Sequence, residues 1–139
     1  MKFEKPDKRN VFKNIFRNIQ DSHHGLVLMA KESSTVQRLI PIEIIAAITI
    51  GIATGFVALE YIILAAAMLL LFTTETINSA IEETCDLVTE DYNERVKRAK
   101  DMASGSVWLW HLVYVICLLG FAICHLLNFV WWAHIIPAA

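Results

Sequence analysis

Residues 107–136 read VWLWHLVYVICLLGFAICHLLNFVWWAHII. No Asp, Glu, Lys or Arg occurs after Asp101, so the stretch carries no formal charge apart from any protonated histidine. About 20 helical residues cross the hydrocarbon core of a bilayer. Trp108 and Trp110 stand near one end and Trp131 and Trp132 near the other. At about 1.5 Å per residue, Trp108 and Trp131 lie roughly 35 Å apart, close to the separation of the two interfacial belts where Trp concentrates. The stretch is read as a transmembrane helix over about 102–136. The competing reading, an apolar core helix of a soluble protein, fits poorly with the whole chain, which is 56% hydrophobic and 19% charged with mean hydropathy +0.50. Soluble domains carry about 25% charged residues.

Two further spans precede it. Leu39–Leu59 holds Glu43 as its only acid or base before the rim, with Pro41 placed to stiffen or kink its start. Tyr61 opens an apolar run that meets a polar series from Glu75, giving a span over about 61–86. The short link around Gly55 to Glu60 makes these two an antiparallel hairpin. Before them, Val11, Phe12, Ile15, Phe16 and Ile19 recur at helical spacing, with Lys13, Asn14, Arg17 and Asn18 on the other face. This is an amphipathic helix over about 10–31, lying on the membrane surface or against the protein's own spans, with Gly25 a candidate break. The expected fold is therefore all-α: one membrane domain over 1–139, with a surface helix and three transmembrane helices.

All 12 Lys and Arg lie before Leu39 or between Arg95 and Lys100. By the positive-inside rule the N-terminus and the 86–101 segment face the cytoplasm and the C-terminus faces out. The first 20 residues are polar and basic, unlike a cleavable signal peptide. Cys85, Cys117 and Cys124 have no metal-like spacing and read as small buried hydrophobes. There is no P-loop and no Rossmann glycine pattern, so any nucleotide is held another way.

The chemistry concentrates in ETINSAIEETCD, residues 75–86. At 100° per residue Glu75, Glu82 and Asp86 fall within about 20° of one line, flanked by Asn78 and Ser79. Glu83 lies on another side. Entering near Tyr61, the helix carries Glu75 roughly 21 Å down and Glu82 roughly 32 Å, against a hydrocarbon core of about 30 Å. Glu75 thus sits just inside the lipid edge and Glu82 at headgroup level. Acids in membrane helices are costly and point to function. Two plainer readings stay open: the helix emerges there and solvates its acids, or Glu75 pairs with a base on a neighbouring helix. Lys100 and Asp101 lie at the same interface, where a cation and an acid suit a phosphate–metal unit. Ala103, Ser104, Gly105 and Ser106 open the last span with residues small enough for close helix packing. His111, His125 and Asn128 read as interhelical hydrogen-bonding groups.

The pattern E-x-x-N-S-A-I-E-x-x-x-D at 75–86, followed by AKDMASG at 99–105, closely resembles the prokaryotic diacylglycerol kinase family, which includes undecaprenol kinases. The resemblance is strongest from about Thr74 to Ser106. It implies a homotrimer in the bacterial inner membrane that phosphorylates a lipid hydroxyl with MgATP, its sites shared between protomers and no nucleic acid involved. Glu75 would be the general base. Glu82, with a second Glu before the first span, would hold magnesium. Asp91, Tyr92, Asn93, Lys100 and Asp101 would contact the nucleotide, together with Glu32 and Glu82. Ser104 would lie near the lipid, and Asn78 and Asp86 would support the constellation. The chain departs from the pattern at the second metal ligand. Glu32 is the only Glu available there, whereas a gapless count from Gly25 places Ser33 at that position. Diacylglycerol, giving phosphatidate, is the first expected acceptor and undecaprenol the second. A small ion or proton transporter using Glu75 and an inactive scaffolding relative are the readings outside this chemistry.

Overall fold

The computed structural model describes residues 11–89 and 91–135, with side chains as far as Phe129. It is all-helical. Helix α1 covers Val11–Glu32, a stretch of wide π-type turns covers Thr35–Leu39, and α2, α3 and α4 cover Ile40–Thr54, Ala58–Val88 and Glu94–Ile135. The segments Thr35–Thr54, Ala58–Val88 and Glu94–Phe129 are each long and apolar enough to cross a membrane. The π-type stretch sits immediately before Pro41, which occupies the first turn of α2. A proline there lacks a donor that an α-helical first turn leaves unused, so it is tolerated while the chain ahead of it adjusts.

Several boundaries differ from the sequence reading, each for a local reason. Gly25 does not break α1, which runs through it without positive φ. A lone exposed glycine costs a helix only about 1 kcal/mol relative to alanine. The first span ends at Thr54 rather than Leu59 because Gly55 takes the left-handed conformation, φ 84°. Gly55 and Phe56 then both donate to the Gly51 carbonyl at 2.9 Å. The next helix starts at Ala58 rather than Tyr61, since the Glu60 carboxylate reaches back to the Val57 N–H at 2.8 Å and closes the first turn. Finally, the last helix starts at Glu94 rather than at about residue 102. Asn93 Oδ1 accepts from the Arg95 and Val96 N–H groups at 2.9 and 3.4 Å, capping α4 well ahead of the apolar stretch.

The most extensive contact is between α3 and α4, with α2 packed on α4. Apolar and polar layers alternate along the bundle. Ile40, Leu71 and Val107 form one apolar layer. Ala47, Phe56, Leu64, Ala67, Tyr114, Leu118 and Ala122 form a larger one towards the hairpin. Beside Tyr114, His111 Nδ1 lies 2.6 Å from Glu43 Oε1, and the Tyr114 hydroxyl donates to the Glu43 carbonyl at 3.1 Å. At the hairpin end His125 Nε2 lies 3.0 Å from both oxygens of Glu60. The expected interhelical bonding of His111 and His125 is thus present, with acids as partners. Phe56 caps this end, edge-on to Tyr61 and Phe121.

The apolar face of α1 at Phe12, Ile15, Phe16 and Ile19 stays exposed, while Met29 near its other end is buried. Of the cysteines, Cys85 is buried and Cys117 half-buried, but Cys124 is exposed, so it is not the buried residue its setting suggested. The side chains of Trp131 and Trp132 lie outside the described ones, as do Asn10 and Ile136 at the limits of the expected helices.

Two outcomes follow. A Cβ at Gly51 would run into the Tyr61 ring and meet Phe56. Gly51→Val is therefore expected to cost about 1–3 kcal/mol, read as a lowered unfolding midpoint in detergent. Glu43 Oε2 and His111 Nε2 are buried without a partner. Interhelical hydrogen bonds in membranes average only about 0.6 kcal/mol, but stripping a partner from a buried acid costs several times that. His111→Leu is expected to lose about 2 kcal/mol, the range for a buried polar group left unsatisfied, and Glu43→Leu/His111→Leu to recover most of it. Equal losses in both would show that the pair is not coupled.

Candidate functional site

The end of the bundle away from the hairpin holds the buried polar residues of the described chain: Ser33, Glu75 and Asn78. Glu75 lies on α3 one turn from Leu71, which is fully buried, so the packing that buries Leu71 turns Glu75 inward as well. Glu75 is 4% exposed. Its Oε1 accepts from the Ser33 hydroxyl at 2.5 Å. A buried carboxylate without such a donor would bear the full desolvation cost. The open question of a basic partner for Glu75 is answered by a neutral hydroxyl from the break between α1 and the π-type stretch.

One turn further, Asn78 donates through Nδ2 to Glu82 Oε1 at 3.1 Å, while its own Oδ1 is buried without a partner. Glu82, Glu83 and Asp86 continue outward and are exposed. Lys100 on α4 reaches Asp86 at 2.5 Å, and Lys97 pairs with Asp101 at 3.1 Å along the same helix. Pairs this exposed are held weakly and exchange readily with another anion.

A cavity of about 350 Å³ joins these groups. Its lining includes Glu32, Ser33, Glu75, Asn78, Glu82, Glu83, Asp86 and Ser104. The structure therefore brings together most of the site residues expected from sequence: Glu32, Glu75, Asn78, Glu82, Asp86 and Ser104. Lys100 joins them through Asp86. Asp91, Tyr92, Asn93 and Asp101 are exposed and do not line this cavity. Ser33 and Glu32 both face it, but it is Ser33 that touches Glu75. The gapless count from Gly25 marks that position, whereas the partnership of Ser33 with Glu75 has no sequence signal, because it joins residues 42 apart.

The donor chemistry fits a hard divalent cation, which prefers carboxylate and amide oxygens. The orphaned Oδ1 of Asn78, which lines the cavity with Glu82 and Asp86, is such an oxygen. Among the described residues no group of three His, Cys, Asp or Glu is gathered closely enough to close a metal site within one chain.

The prokaryotic diacylglycerol kinase model matches residues 20–124, which takes in α1 from its middle, the hairpin, the cavity and most of α4. The chain belongs to the prokaryotic diacylglycerol kinase family. An undecaprenol kinase from Bacillus subtilis is 29% identical over 120 residues, covering 84% of this chain and 93% of the relative. A diacylglycerol kinase from Helicobacter pylori is 29% identical over 117 residues, covering 81% and 90%. One from Escherichia coli is 32% identical over 75 residues, covering 54% and 62%. Both names thus occur among relatives of this chain at near-equal identity.

Proposed function

We propose that the protein is an ATP-dependent lipid kinase that transfers the γ-phosphate of MgATP to the hydroxyl of a membrane lipid. Membership of the family supports the reaction class. The observation that carries the mechanism is a carboxylate, Glu75, buried at the inner end of three membrane-length helices and facing a polar cavity. A lipid hydroxyl at the hydrocarbon edge reaches such a group from one side, and a water-borne phosphate reaches the exposed Glu82, Asp86 and Lys100 from the other.

Glu75 takes the proton of the lipid hydroxyl as the oxygen attacks the γ-phosphorus. The new P–O bond forms as the bond to the β–γ bridging oxygen breaks, and ADP leaves with that electron pair. Such transfers depend on positioning and charge neutralisation more than on covalent help from the protein. Glu82 and Glu32 would hold magnesium, with Asn78 and Asp86 supporting them; the bound ion neutralises charge on the phosphates. Lys100 and Asp101 would release their present ion-pair partners to meet the nucleotide. Asp91, Tyr92 and Asn93 would meet it too, and Ser104 would lie against the lipid. Because these loop residues do not reach the cavity of their own chain, we read the site as shared between protomers of a homotrimer. The exposed apolar faces of all three spans leave surface for that packing. The distribution of Lys and Arg supports an inner-membrane protein with its N-terminus and site in the cytoplasm and its C-terminus outside.

Diacylglycerol is the first acceptor and undecaprenol the second; the Bacillus subtilis relative supports the latter. A transport path through Glu75 fits less well, since apolar layers stand between Glu75, the Glu43–His111 pair and the Glu60–His125 pair.

Purified protein in mixed micelles is expected to consume ATP only with lipid and magnesium present, and faster with diacylglycerol than with undecaprenol. The reverse ratio would exchange the two acceptors. Glu75→Gln is expected to stay folded and lose at least about a hundredfold in kcat. Glu82→Gln is expected to raise the magnesium concentration needed for half-maximal rate.

A further inference from the structure

Ser33 is held from several directions. Its N–H donates to the Met29 carbonyl at 2.8 Å, and its own carbonyl accepts from the Gln37 N–H at 3.2 Å. Its Oγ accepts the Val36 N–H at 3.1 Å. A serine hydroxyl has a single proton to donate. With Val36 occupying the acceptor side, that proton lies on the line to Glu75 Oε1, 2.5 Å away and buried.

A glutamate side chain has three rotatable bonds, and among the described residues Ser33 is the hydrogen-bond partner that fixes the Glu75 carboxylate. We infer that Ser33 is a positioning residue for the phosphoryl transfer. It clamps Oε1 of Glu75 and so leaves Oε2, in a set orientation, to receive the lipid proton. The inference rests on the reading of Glu75 as the base. It gives the position before the first span a role in orienting that base, distinct from holding metal, and leaves Glu32, exposed on the same cavity, as the carboxylate available there. The clamp is built from the surface helix and the first span together. Ser33 follows α1 directly and precedes the π-type stretch, whose second residue supplies the Val36 N–H.

The test compares Ser33→Ala, Ser33→Cys and Ser33→Thr with Glu75→Gln in the full-length protein, in mixed micelles with the better acceptor and MgATP. Ser33→Ala is expected to lower kcat by about ten- to a hundredfold, the range for a misplaced reacting group. KM for lipid, KM for ATP and the magnesium half-saturation point are expected to stay within about twofold, as for loss of an interaction used only in the transition state. Ser33→Thr, which keeps the hydroxyl, is expected to restore most of the rate. Ser33→Cys, similar in shape but a weak donor, is expected to fall between, and it carries the test if the alanine variant does not fold. Unchanged kcat in folded Ser33→Ala or Ser33→Cys, with Glu75→Gln inactive, would overturn the clamp and leave the base standing. A raised magnesium requirement in Ser33→Ala would replace positioning by a metal-side role. Full activity in Glu75→Gln would remove the base itself.

Discussion

A carboxylate buried between membrane helices must be given a hydrogen-bond partner, and the arrangement around Glu75 follows from that constraint. The hydroxyl that serves it comes from neither neighbouring transmembrane helix but from Ser33, at the joint between α1 and the first span. That joint exists because α1 ends at Glu32 and the chain resumes in wide turns ahead of Pro41. An uninterrupted helix would present Ser33 in a different direction. The irregularity of the backbone and the satisfaction of the buried acid are thus one feature.

The same rule explains the alternation of layers deeper in the bundle. Each acid drawn into the bundle, buried or half-buried, meets a hydrogen-bonding group on another element: Glu75 with Ser33, Glu43 with His111, Glu60 with His125. Between them the helices meet through Ile40, Leu71 and Val107, then through Leu64, Tyr114 and Leu118. Within a bilayer apolar contact gives little net drive for association, since lipid tails are equally apolar, so polar pairs carry more of the specificity. At the end away from the hairpin the pattern opens out. Asn78 holds Glu82 with one end of its amide and leaves the other free, and the acids beyond it reach water.

Much of this was legible in the residues. Hydropathy and charge distribution are long-range signals, and they located helix α1, the three membrane-length helices and the hairpin. The 3.6-residue period placed Glu75, Glu82 and Asp86 on one stripe, and the motif around them named the family. Helix ends were less legible. They depend on a few capping contacts, such as Asn93 Oδ1 on Arg95 and the Glu60 carboxylate on Val57, which shift a boundary without leaving a trace in hydropathy. Partner choice was least legible. Glu43 and His111 were each conspicuous in the sequence, but 68 residues separate them, and only the packing of α2 on α4 matches them. Ser33 drew notice only as an offset from Glu32. The structure puts both residues on the cavity and gives the contact with Glu75 to the serine.

Helix α4 is one unbroken rod of 42 residues. Lys100, His111 and His125, each of which meets an acid side chain of α2 or α3, lie within about 40° of one line at 100° per residue. They act as teeth of a key cut at intervals of 11 and 14 residues, which follows from their positions in the chain. A single residue inserted between two teeth would turn one against the other by about 100° and strand an acid in the bundle. The helix therefore has wide latitude in which apolar residue it uses at each lipid-facing place, and almost none in its count. In a lineage that carries these pairs, length between the teeth should be held more tightly than identity.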